Sequence, residues 1–98
     1  MSKRSLRFSA EASADFDDIV TFGLERFGRS VGLAYARGLR AACRRLCDQP
    51  GVAPYYPTVH PPARCLVHRS HRVFYRVEPE RVLIVRILHH ARAVPAAL

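Results

Sequence analysis

Residues 72–77, Arg-Val-Phe-Tyr-Arg-Val, and residues 82–89, Val-Leu-Ile-Val-Arg-Ile-Leu-His, are two apolar runs parted only by Glu78, Pro79, Glu80 and Arg81. Runs rich in β-branched and aromatic side chains form strands. A link of four residues is too short for a crossover, so the two strands must pair as an antiparallel hairpin. The second run ends in a polar, cationic group: His89, His90 and Arg92. The apolar body needs a cover. The cluster beyond it is where recognition or chemistry can sit.

The cover comes from upstream. Leu6, Arg7 and Phe8 form a short strand candidate. Ser9 reads as a helix N-cap, with Glu11 and Asp15 early in the helix, where the dipole favours anions. Ala12, Phe16, Ile19, Gly23 and Phe27 then recur at steps of three or four, widened by Val20 and Leu24, which is one apolar helix face. Gly28 stops this helix and Ser30 caps the next. In the second helix Val31, Ala34, Tyr35, Leu39, Ala42 and Leu46 keep the helical step. Its polar face holds Arg37, Arg40, Arg44 and Arg45, and Gln49-Pro50-Gly51 ends it. Pro50, Pro54, Pro57, Pro61 and Pro62 forbid a helix over residues 50–62, which is a loop, ordered or flexible. Strands follow at 63–69, 71–78 and 81–89. The expectation is one α+β domain spanning 1–98, in the order β-α-α-β-β-β, with a mainly antiparallel sheet packed against a helical hairpin.

Charge narrows the choice of partner. The chain carries 16 Lys and Arg against 8 Asp and Glu, net +8, and every cation but Lys3 is arginine. Such an excess attracts polyanions, either nucleic acid or an acidic protein. The 49% hydrophobic content excludes a disordered tail. No apolar run approaches the ~18–20 residues needed to span a bilayer. The basic start, Met1 to Leu6, leads into no long apolar segment, so the expectation is no membrane role, no leader and a cytoplasmic protein. Cys43, Cys47 and Cys65 are an odd number, which argues against a disulfide framework. Cys43 and Cys47 stand four apart, on one helix face, as core residues or as a metal pair. Nothing else has zinc-like spacing, and neither metal nor cofactor is expected.

Strand alternation puts Leu83, Val85, Ile87 and His89 on one face, and Val82, Ile84, Arg86 and Leu88 on the other. Arg86 then sits among apolar neighbours and needs a partner such as Asp17, Asp18, Glu25 or Glu78. Tyr75 reads as core-facing with its hydroxyl bonded. His89 and His90 read either as a surface pair or as part of a site.

Taken together, these pieces resemble the RelE/ParE superfamily of toxins from bacterial type II toxin–antitoxin operons. The resemblance rests on Phe8-Ser9-Ala10-Glu11-Ala12 leading into Asp15, Phe16, Asp18 and Ile19, and on Tyr35 and Leu39. It continues through the Leu46…Pro50-Gly51 exit, the run 72–77, and Ile84-Val85-Arg86-Ile87-Leu88-His89. It covers about residues 6–92, and the Arg-Ile-Leu-His-x-x-Arg ending is more similar to the ParE branch. It implies a growth-inhibiting toxin neutralised by a co-encoded antitoxin, with DNA gyrase as target. The antitoxin or target would meet Arg37, Arg40, Arg44, Arg69, Arg72, His89, His90 and Arg92.

A RelE-like ribosome-dependent mRNA endoribonuclease is the alternative, and a basic nucleic-acid-binding domain without toxicity is a third reading. Metal-free RNA cleavage needs a base for the 2′-OH, cations for the phosphate and an acid for the leaving oxygen. Arg64, Arg69, Arg86 and Arg92 could supply cations, and His89 or His90 the acid. Between Gln49 and Arg69, however, there is no Lys, Glu or Asp, and only His60 and His68 remain as bases. That gap weighs against the enzyme.

Overall fold

The computed structural model describes residues 4–98. Met1, Ser2 and Lys3, the first half of the basic start read above, lie outside the described residues. The elements are β1 Ser5–Phe8, α1 Ala10–Phe27, α2 Arg29–Asp48, β2 Arg64–His68, β3 His71–Val77 and β4 Arg81–His89. The α+β class and the element order are as expected. The sheet order is β1-β4-β3-β2. β2, β3 and β4 are antiparallel neighbours, whereas β1 joins β4 in parallel.

One serine ties the helices to the sheet. The Ser9 hydroxyl accepts the Ala12 N–H at 3.0 Å and donates to the Val85 carbonyl at 2.9 Å. The Ser9 N–H donates to the Ile84 carbonyl at 2.9 Å. The cap that starts α1 therefore also seats it on β4. Gly28 turns the chain between the helices at φ 85°, which only glycine adopts cheaply. It closes α1 and opens α2 by itself, so Ser30 lies inside α2 and caps nothing. The interhelical approach is also a glycine matter. A Cβ on Gly32 would stand 2.9 Å from Gly23 C and Leu24 N.

Two apolar clusters flank the sheet. Toward the helices lie Ala12, Leu39, Cys43, Leu46, Val73, Tyr75, Val82, Ile84 and Ile87. On the other face lie Val59, Ala63, Cys65, Phe74, Val85 and Leu88, beneath Tyr56, Val94 and Leu98. The proline-rich loop is thus ordered: it and the tail roof the second face, and Tyr56 N–H bonds the Ala63 carbonyl at 2.9 Å. Cys43 and Cys47 pack in the helix-facing core, where burial pushes the Cys43 thiol up to about 11. The Tyr75 hydroxyl donates to the Pro50 carbonyl at 2.8 Å, as expected.

Strict alternation along β4 fails. The pairing slips between Phe74 and Tyr75, where Phe74 faces Arg86 but Tyr75 faces Ile84. Val85 is the extra residue of a bulge. Beyond it Ile87 joins Val82 and Ile84 toward the helices, while Leu88 joins Leu83 and Val85 on the far side. The α2 stripe shifts as well. Val31 and Ala34 are exposed, and Gly32 and Ala36 take the buried positions, because close helix contact admits only small residues there.

Candidate functional site

A groove opens where the helical hairpin overhangs the turn between β2 and β3 and the end of β4. It has two adjoining lobes of about 360 and 380 Å³. Ile19, Phe22, His71 and His89 line both lobes. Phe27, Val31 and Tyr35 extend one, and Asp15, Asp18 and Arg92 the other. Phe22, Phe27 and Val31 are 58, 58 and 57% exposed, and Phe22 meets Phe27 edge-on at 6.3 Å. Three large apolar side chains are thus gathered, exposed, in one concave surface, the composition that docking surfaces share.

The polar side of the groove is built from imidazoles. The Tyr35 hydroxyl lies 2.6 Å from His71 Nδ1. Burial, then the neighbouring histidines His89, His68 and His90, lowers the His71 pKa to about 4. Burial raises that of Tyr35. The Tyr35 hydroxyl also lies 3.5 Å from the His68 carbonyl, and which group donates in the Tyr35–His71 bond follows the tautomer of the neutral His71 ring. His89 crosses His71 at 5.5 Å between centroids and stacks on His90 at 4.5 Å. Its Nδ1 accepts the Ala91 N–H at 3.1 Å. His68 turns toward α2, and its Nε2 is buried with no hydrogen-bond partner among the described residues. Arg69 stands at the tip of the β2–β3 turn with φ 50°, a strained backbone for a branched-free but bulky residue.

Asp15 anchors the groove wall. Its carboxylate accepts Arg86 Nε at 2.8 Å, Arg86 Nη2 at 3.1 Å and the Ile87 N–H at 2.9 Å. None of the four acids expected for Arg86 is its partner. Past Ile84 the strand β1 has ended, so the open edge of β4 presents the Ile87 N–H to the first turns of α1, where Asp15 waits. The side-chain hydrogen bond to Asp15 raises the Arg86 pKa further.

The candidate residues therefore separate. Arg69, His89 and Arg92 line the groove. Arg72 donates to the His90 carbonyl at 3.0 Å beside it. Arg37, Arg40 and Arg44 lie on the exposed face of α2, Arg40 over the Phe8 ring at 5.6 Å. Of the proposed ribonuclease set, Arg64 is remote: it donates to the Ala53 carbonyl at 2.6 Å and lies over Tyr55. Arg86 is committed to Asp15. The apolar walls are not legible in the sequence, because the helical step runs through Phe27 and Val31 and reads both as core. Nor is the Tyr35–His71 pair. The available signal was Phe22, a large apolar residue off the α1 stripe.

The βααβββ order is the one that the resemblance to the RelE/ParE superfamily implies. Residues 6–94 match the family model described as ParE toxin of type II toxin-antitoxin system, parDE. The chain is 37% identical over 92 residues to Toxin ParE1 of Caulobacter vibrioides, covering 94% of this chain and 95% of that one. It is 33% identical over 90 residues to Toxin ParE1 of Mycobacterium tuberculosis, covering 91% of each. A solved chain titled "Chromosomal ParDE TA system from P. aeruginosa" superposes with a TM-score of 0.75 at 22% identity, over 89% of this chain and 96% of that one. At that identity the last likeness speaks for the fold. The chain belongs to the ParE toxin family of type II toxin–antitoxin systems. No helix among the described residues is long and apolar enough to cross a membrane.

Proposed function

We propose that the protein arrests growth by trapping DNA gyrase, in the cytoplasm, and that a co-encoded antitoxin silences it by filling the groove. The observation that carries this reading is the groove itself, with Phe22, Phe27 and Val31 exposed in a ParE-family chain. An amphipathic antitoxin helix would bury these side chains, and its acids would meet Arg69 and Arg92. Binding rather than cleavage is favoured by what the polar residues already do. Arg64 and Arg86 are engaged elsewhere. His71 has its Nδ1 occupied by Tyr35. No Asp, Glu or Lys stands between Gln49 and Arg69 to act as base. His89, His90 and Arg92 sit past the core at the strand end, free to bond a carboxylate or phosphate without breaking a bond.

Co-expression with the adjacent small gene tests the antitoxin. The wild-type pair co-purifies. Phe22→Asp with Val31→Asp loses the antitoxin while keeping its circular dichroism spectrum and melting transition. Retention of the antitoxin by that double variant would place the interface elsewhere.

A further inference from the structure

A second concave surface lies at the opposite end of α2, between that helix and β1, with a volume of about 370 Å³. Arg4, Arg40, Arg44 and Arg45 line it, with Ser5, Leu6, Cys47 and Asp48. We propose that this arginine face is a docking surface for the phosphate backbone of double-stranded DNA, separate from the groove.

Its chemistry differs from that of the groove. None of the large exposed apolar residues, Phe22, Phe27, Val31, Val52, Tyr55, Val67 or Val77, lines it. An amphipathic peptide needs apolar anchors, whereas a duplex backbone offers only charge. Four guanidinium groups face one lining acid, Asp48. The arginines are also presented in order. Arg37, Arg40, Arg44 and Arg45 are exposed on one side of α2 at helical spacing, so Arg40 and Arg44 are one turn, about 6 Å, apart along the axis. Arg40 is held over Phe8 at 5.6 Å. Arg4 is held by the Glu78 carbonyl, 2.8 Å from its Nε. Each keeps guanidinium N–H groups to give to phosphate, and ordering them in advance lowers the entropy lost on binding. Tyr35 in the groove and Arg44 here are nine positions apart, about 14 Å along the helix. One molecule can therefore hold a protein in the groove and DNA on this face. That suits a toxin whose proposed target works on DNA, although the surface stands on its own observations.

Fluorescence anisotropy of the purified chain with a 30-base-pair duplex of arbitrary sequence, between 50 and 200 mM salt, tests this. Three or four phosphate contacts give a slope of log K against log salt of about −3 to −4. Arg44→Gln with Arg45→Gln, which leaves the Arg40–Phe8 contact intact, reduces the slope by about 2 and weakens binding at least tenfold at 50 mM salt. Phe22→Asp with Val31→Asp changes neither. Equal slopes for wild type and the arginine variant, with matching melting transitions, would overturn the proposal. So would tighter binding of a poly-glutamate peptide than of the duplex, which would make the face an acidic-protein site.

Discussion

Asp15 shows how much one side chain can hold. Its carboxylate, 13% exposed, takes two bonds from Arg86, 23% exposed, and one from the backbone of the β4 edge. Charge-assisted bonds contribute about 1.5–3 kcal/mol each when a partner is removed. Asp15→Ala leaves a guanidinium and an N–H without their acceptor in a half-buried place. We expect a loss of about 2–4 kcal/mol in urea unfolding. Asp15→Asn, which keeps an acceptor oxygen, loses less. Equal losses for the two variants would show that the charge does not matter. His71 supplies a pH signature. Its pKa is about 4 when folded and about 6.5 when unfolded. Below pH ~6.5 the unfolded chain therefore binds the extra proton, and stability falls as pH drops toward 4. Above that window this term is constant. His68, lowered first by burial, has the same sign. The denaturation midpoint should decline from pH 6.5 to 4, and His71→Gln should flatten the decline. An unchanged slope in that variant would remove His71 as its source.

Among the elements, the helical hairpin depends on Gly32. A methyl there would collide with the backbone of Gly23 and Leu24 at 2.9 Å, which cannot move aside as a side chain would. A Cβ on Gly38 would come no nearer than 3.8 Å, to His68 Nε2. Gly38→Ala should stabilise by about 0.5–1 kcal/mol through helix propensity, and Gly32→Ala should destabilise by about 1–3 kcal/mol through overpacking. Thermal melts of the two variants should move in opposite directions; a shift in the same direction would contradict the packing described. The sheet carries the larger share. Phe74 and Ile87 are buried on opposite faces, and Phe74→Ala and Ile87→Ala should each cost about 2–5 kcal/mol. These strands were legible because their apolar runs and short links allow one pairing. The bulge at Val85 was not, since no residue type announces a register slip. The Gly32 contact was hidden for a related reason. A small residue shows the need for close approach only when its neighbour across space is known.

The whole molecule presents two concave surfaces of different chemistry: an apolar groove rimmed by histidine and arginine, and an arginine face with none of the large exposed apolar side chains. The charge excess in the composition pointed to anionic partners, yet it could not say which arginines act together. Arg64 and Arg86, alike in sequence to the rest, turn out to be bonded within the fold. The strand-end cluster remains open to a target. His89→Ala with His90→Ala, and Arg92→Ala, should weaken growth inhibition while leaving the melting transition in place. Undiminished inhibition in both would move the target contact elsewhere. Incubating the purified protein with DNA gyrase and relaxed plasmid, with a parallel assay of ribosome-bound transcript, separates gyrase trapping from RNA cleavage. The expected outcome is loss of supercoiling, restored when the antitoxin is added first, and intact transcript. Full supercoiling activity beside site-specific transcript cleavage, abolished by His89→Ala or His90→Ala, would contradict it.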